Sequence, residues 1–306
     1  MSLSSKFFGE GNRRGILSMT AAMLLFVAND ALVKLISGRI PLGQIMVVRG
    51  IMVLLVVFCL IWANGHLRYL RSIIRPVILL RGVSDLLASV LYLLALLHMP
   101  IGNLTAINMG TPLVMTAFAA IFAHEQVGWR RWAAVIVGFG GILMIVQPRA
   151  DAFNSWSLVA LASMLFVVAR DLSTRNIDRA IPSLVVVFAA SIIVTVGAAG
   201  MIPFQGWAPL LPGDYIQLAA AALFLLSGYK LVTDSMRHGE LSLVAPFRYS
   251  ALVWALAAGL LVWGELPNLL AFGGIGVVVC SGLYVLHRER VRRLQAAAEA
   301  DSLKQS

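Results

Sequence analysis

The sequence predicts an all-α integral membrane protein: ten transmembrane helices, built as two five-helix repeats of inverted topology. Three observations point there. The 306 residues are 60% hydrophobic and 12% charged, with a mean hydropathy of +0.88, whereas a soluble chain is about half apolar and a quarter charged. Apolar runs of about 18 to 25 residues recur along the chain, each long enough to cross a roughly 30 Å hydrocarbon layer as a helix. The run "MLLFVANDALVK" from Met23 to Lys34 nearly returns as "MLFVVARDLSTR" from Met164 to Arg175, about 141 positions on, the mark of an internal duplication.

Taken in order, the first span (14–37) is too long, and lacks the small-residue cleavage pattern, to be a removable signal peptide. It carries Asn29, Asp30 and Lys34 in an otherwise oily helix. The second (42–63) opens at Pro41 and holds Arg49 in its outer part. The third (75–98) repeats Arg81, Asp85, Ala88 and Tyr92 at helical spacing, so they share one face, and Arg81 can pair with Asp85. On the fourth (100–124), Thr105, Asn108, Thr111 and Pro112 form a similar stripe. The fifth (129–147) carries Gly138, Gly140 and Gly141 for close helix packing.

The second half follows suit. The sixth span (154–175) echoes the first with Arg170 and Asp171, and the seventh (182–203) opens at Pro182 as the second does at Pro41. Ser227, Lys230 and Asp234 line the eighth (213–237), followed by Arg237. Ser242, Ala245, Arg248 and Tyr249 share a sector of the ninth (240–263). The tenth (268–287), with Gly273, Gly274, Gly276 and Gly282, has Ser281 as almost its only interior polar group, so it should brace the bundle together with the fifth. Residues 1–149 form the first repeat, 150–287 the second, and 288–306 a cytoplasmic, helical tail. Its contact is expected to be anionic headgroups near Arg288 to Arg293.

Five is odd, so the second copy must enter the bilayer from the opposite face, a symmetry typical of secondary transporters and some channels. With the N-terminus cytoplasmic, the inner segments hold Lys6, Arg13, Arg14, Arg68, Arg71, Arg75, Arg130, Arg131, Arg175, Arg179, Arg237, Arg288, Arg290, Arg292, Arg293 and Lys304, and the outer loops only Arg39 and Arg149. This asymmetry predicts both termini inside.

A charge held mid-membrane costs about 2.5–3.5 kcal/mol unless it meets a partner or water. The ionic residues above must therefore converge on a polar or hydrated interior, either as self-neutralising pairs such as Arg81 with Asp85 and Lys230 with Asp234, or as a solute site. Arg248 has no acidic residue one turn away on its own helix, and a guanidinium in a semi-polar cavity suits a carboxylate or phosphate; Arg49 is a weaker candidate of the same kind. Pro112 and Pro246 remove backbone donors inside their helices and are candidate gating bends, with Asn108 and Tyr249 within a turn of them. Plain packing is the alternative for either of those two.

Other classes find little support. The basic residues sit in short segments between apolar runs rather than on a soluble domain, which argues against nucleic acid. No phosphate loop, H-E-x-x-H zinc motif or nucleophile turn occurs, so neither enzyme activity nor a metal or other cofactor is expected. Cys59 and Cys280, each alone in an apolar run, read as lipid-facing or packing residues. His66, His98, His124, His238 and His287 lie near span ends.

The segment "NLTAINMGTPLVMTAFAAIFAHEQVGWRRWAAVIVGFGGILMIVQP" resembles the second part of an EamA domain, with its mid-helix proline, its Glu at the helix end and its Gly-rich following span. "LSLVAPFRYSALVWALAAGLLVWGELPNLLAFGGIGVVVCSGLYVL", with its G-E-x-P turn, resembles the same unit again, and "PLGQIMVVRG" fits the start of the second span. The chain thus resembles the drug/metabolite transporter superfamily over nearly its whole length. That resemblance implies a ten-helix bacterial inner-membrane exporter of amino acids or related metabolites, working by alternating access. The halves depart from each other at Leu252 against Pro112 and at Ala190 against Arg49, so no site residue transfers between them by symmetry.

The expectation is therefore a small-molecule exporter whose cavity presents Arg248 or Lys230 to a carboxylate, Asp85 or Asp30 to an ammonium group, and Tyr92 or Tyr249 to an apolar side chain, with Asn108 as a hydrogen-bonding partner. Nucleotide sugars, cofactors or cationic drugs are the alternative cargoes, and a solute channel is the alternative class.

Overall fold

The structure, a computed structural model, describes residues 10–122, 129–147, 154–178, 180–238 and 241–305. Lys6, His124, Arg149 and Arg179 lie outside these residues, as do the Glu that ends the fourth span and the side chains of Ser242, Arg290, Arg292, Arg293 and Lys304. The described residues are helical apart from short connections. The helices are α1 (Glu10–Ile36), α2 (Leu42–Ala63), α3 (Pro76–His98), α4 (Ile101–Asn108), α5 (Thr111–Phe122), α6 (Trp129–Val146), α7 (Trp156–Arg175), α8 (Ser183–Ala199), α9 (Pro212–His238), α10 (Ser250–Ala258) and α11 (Leu269–Gln305). A 3-10 helix, His66–Ile74, joins α2 to α3, and shorter turns join some of the others. Proline sets several starts: Pro41, Pro100 and Pro182 are N-caps and Pro76 is the first helical residue, positions where a missing N–H costs no helical bond.

Among the described residues, nine helical stretches are long and apolar enough to cross a membrane, one fewer than the ten spans expected. The difference lies in the expected fourth span, whose described residues form two helices, α4 and α5. Pro112 has no N–H to give the carbonyl of Asn108; the hydroxyl of Thr111 donates to that carbonyl instead, at 2.6 Å. The amides of Gly110 and Leu113 tighten to the third residue back, Ile107 and Gly110, and the helix breaks there, as expected of proline within a helix. The ninth segment is also irregular. Pro246 sits in a 3-10 turn, Ala245–Tyr249, and after α10 the chain widens into a π-turn, Gly259–Trp263. It stops at Gly264, whose φ of +65° suits a residue without Cβ.

Packing defines two ends of the bundle. Gly11 of α1 lies against the His238 carbonyl of α9 and Arg39, just beyond α1, pairs with Asp214 at the start of α9, so these helices are antiparallel. In the same way α3 packs on α7, α6 on α11 and α2 on α8. Residues 75, 130, 178 and 238 mark one end, here the near end, and residues 36, 99, 147, 205 and 265 the far end. α3 and α6 both run from near to far, so the broken α4–α5 segment carries the chain back. Arg68, Arg71, Arg75, Arg130, Arg131, Arg175 and Arg237 lie towards the near end, whereas Arg39 lies at the far end, bonded to Asp214.

Interior contacts are apolar and tight, with Met19, Val33, Ile45, Leu96, Ile107 and Ala255 in one continuous core. The outer surface is apolar as well: Leu55, Ile136, Leu261 and Leu269 are exposed, which fits a lipid solvent rather than water. Cys59 and Cys280 are also exposed. α6 crosses α11 at Gly141 and Gly274, where a Cβ on Gly274 would stand 2.5 Å from the carbonyl oxygen of Gly141. Gly138 and Gly282 are covered by Leu113 and Tyr249, while Gly140 and Gly276 face open space.

Candidate functional site

The polar residues of the spans gather in three layers. The central layer joins α1, α2 and α3. Asp30 accepts a hydrogen bond from the Tyr92 hydroxyl at 2.6 Å and another from the Asn29 amide at 2.9 Å. Asn29 in turn accepts from the Arg49 guanidinium at 3.0 Å. Thr105 of α4 shares the Tyr92 hydroxyl. An arginine and an aspartate are thereby held near each other with a side-chain amide between them.

The second layer lies nearer the termini, about 10 Å along α3, since Asp85 precedes Tyr92 by seven residues at about 1.5 Å each. Arg170 of α7 reaches Asp85 at 3.1 Å and its neighbour Asp171 at 2.9 Å. Arg81 stands 3.9 Å from Asp85 and donates to the Thr174 hydroxyl at 3.1 Å. Between the layers stands Tyr229 of α9, within electrostatic reach of Asp85, Arg170, Arg81 and Arg49, its ring edge-on to Phe26 at 5.2 Å. Half of Tyr229 is open although charged groups of three other helices surround it.

The third layer closes the far end. Lys34 binds both carboxylate oxygens of Glu265 at 3.0 and 3.1 Å and the carbonyl of Met99 at 3.1 Å, and lies 4.8 Å from the centre of the Trp263 ring. All three ammonium hydrogens thus have acceptors. Gln147 and Asn268 exchange amide bonds at 2.7 and 3.0 Å, Gln44 exchanges bonds with the backbone of Ala208, and His98 stacks on Trp156 at 3.8 Å.

The expected site residues divide. Asp30, Tyr92 and Asp85 lie on this interior, and half-buried Asn108 ends α4 at the break made by Pro112. Lys230 is exposed, and among the described residues no ion pair joins it to Asp234. Arg248 is exposed too. Tyr249 is buried over Gly282 of α11, its hydroxyl without a hydrogen-bond partner. Pro246 occupies the 3-10 turn leading to Arg248 and Tyr249. Arg81 pairs with Asp85 as spacing predicts, but the shorter contact comes from Arg170 on another helix. Arg49, ranked behind Arg248 by sequence, is in the centre. Tyr229 lies off the polar stripe that the sequence marks on its helix, two positions from Ser227 and one from Lys230.

Residues 13–147 match the EamA-like transporter family. The chain is 25% identical over 279 residues to the pseudopaline exporter CntI of Pseudomonas aeruginosa, covering 91% of this chain and 97% of that protein. It is 23% identical over 271 residues to the S-adenosylmethionine uptake transporter of Rickettsia conorii, covering 86% and 89% respectively. One crystal structure shares the fold with a TM-score of 0.63 at 19% identity, over 92% of this chain and 98% of that one. The first half of the chain thus matches the EamA-like transporter family, and most of its length is similar to membrane transporters.

Proposed function

We propose that the protein is a secondary transporter that exports small amino acids or related zwitterionic metabolites across the bacterial inner membrane by alternating access, with both termini in the cytoplasm. The observation that carries this reading is the central layer: opposite charges held apart inside a membrane bundle, beneath a far end closed by polar contacts. Intramembrane charges of this kind are costly and mark solute or ion pathways. The packing pairs support two inverted five-helix units, because exchanging the halves turns the α1–α9 contact into the α7–α3 contact and returns α2–α8 and α6–α11 to themselves. The arginines at the near end support a cytoplasmic near side. One relative is an exporter and another an uptake transporter, and S-adenosylmethionine itself bears an amino-acid head, which keeps larger amino-acid-bearing cofactors as the second cargo class.

Counterflow into proteoliposomes with a panel of labelled amino acids tests the proposal. Saturable exchange of at least one amino acid is expected. Unsaturable flux would make the protein a channel, and exchange of other solutes alone would overturn the cargo.

A further inference from the structure

Building on the amino-acid reading above, we propose that Arg49, Asn29 and Asp30 form one recognition unit for an α-amino-acid head. Arg49 takes the carboxylate, Asp30 takes the ammonium group, and Asn29 sets the distance between them.

The contrast between the two ionic layers carries the inference. Arg170 contacts Asp85 and Asp171 directly, at 3.1 and 2.9 Å. Both carboxylates of that layer are thus paired directly, although Arg81 Nη1 beside them is buried without a hydrogen-bond partner. Arg49 and Asp30 lie within electrostatic range of each other, yet no direct ion pair joins them among the described residues; the Asn29 amide stands between, accepting from one and donating to the other.

Unspent hydrogen-bonding capacity points the same way. A guanidinium has five N–H donors, and the one hydrogen bond from Arg49 among the described residues goes to Asn29. A carboxylate offers about four acceptor positions, of which Tyr92 and Asn29 fill two on Asp30. An arginine left so incompletely bonded inside a membrane bundle is costly unless water or ligand completes it. Two opposite charges kept apart by a neutral spacer can each meet one end of a zwitterion without first breaking a salt bridge. An α-amino acid carries its two charges on one carbon, so it fits between such partners, and planar Arg49 suits a carboxylate in two-pronged contact. Half-open Tyr229, within reach of Arg49, is placed to cover the solute's side chain.

The test uses the detergent-purified full chain. Thermal stabilisation is first measured with each of the twenty proteinogenic L-amino acids, and then with the N-acetyl derivative and the methyl ester of the best binder. Wild type should bind both derivatives about ten- to a hundredfold more weakly, the usual effect of losing a hydrogen-bonded charge. Asp30→Asn should abolish the discrimination against the N-acetyl form only, and Arg49→Gln that against the methyl ester only. Asn29→Ala, which keeps both charges but removes the spacer, should weaken the amino acid itself. Each ratio is taken within one variant, so lower stability of a variant does not imitate the result. If amino acids bind and exchange but both ratios survive both substitutions, the recognition unit is wrong while the transporter reading stands. If no amino acid binds or exchanges, the cargo proposal and this one fall together.

Discussion

Arg170 holds two carboxylates at once, and its loss would leave Asp85 with Arg81, whose guanidinium stands 3.9 Å away, and take from Asp171 its ion pair. Removing one partner from a buried ionic group is far more damaging than replacing the whole group by apolar residues. Arg170→Met is therefore expected to cost about 3 kcal/mol of stability, and combining it with Asp171→Asn should recover part of the loss; thermal unfolding in detergent reads both. The contacts of Arg170 also show where residue-level reading of the sequence stops. Spacing on one helix identified Arg81 with Asp85, because that pair needs only the helical repeat. The shorter Arg170 contact and the Arg49–Asn29 bond depend on how separate helices rotate about their axes. The apolar periodicity of a helix that is oily all round leaves that rotation undetermined, which is why exposed Arg248 was ranked ahead of inward Arg49.

At the scale of whole helices, prolines and glycines were the most legible features, since each acts through backbone geometry that needs no knowledge of neighbours. Pro112 implied a bend, and the break at Met109–Gly110 with the Thr111 hydroxyl on the Asn108 carbonyl is its local consequence. The same break divides the fourth span into two short helices, so the count by helix length is nine among the described residues. The glycines of the fifth and tenth spans implied close packing, but not which of them face the partner helix. The crossing selects Gly141 and Gly274, whose backbones meet, and leaves Gly140 and Gly276 facing outward. Gly274→Ala should destabilise the protein by about 1–3 kcal/mol, the usual cost of overpacking, because the atom in the way is backbone. Gly276→Ala should change stability by no more than about 0.5 kcal/mol, like other surface replacements. Equal effects in thermal unfolding would show that the α6–α11 crossing is not as tight as described.

At the scale of the whole molecule, the polar contacts among the described residues are distributed unevenly between the two ends. Lys34, Glu265, Met99 and Trp263 tie α1, α3 and the π-turn together at the far end, with the Gln147–Asn268 and Gln44–Ala208 exchanges beside them. At the near end Arg75 meets Asp178 at 3.6 Å with both side chains more than half exposed, a geometry worth little in water. The far end is the one closed by these contacts, and the alternating-access mechanism proposed above requires them to break during the cycle. Lys34–Glu265 is the contact whose loss should shift the balance most, because Lys34 is only 9% exposed and spends every donor there. Thr105, 6% exposed below that seal, can report the shift as Thr105→Cys in a background lacking Cys59 and Cys280. A membrane-impermeant maleimide applied to intact cells should label it slowly, and Glu265→Gln should raise the rate severalfold. The charge exchange Lys34→Glu with Glu265→Lys should restore protection, since a specific ion pair survives reversal whereas loss of packing does not. Faster labelling from outside also requires the far end to face outward, so the same measurement reports the orientation inferred from the arginines. An unchanged rate in Glu265→Gln would mean that the seal rests on the apolar packing of Ile101 against Gly259 and the amide pairs, not on the ion pair.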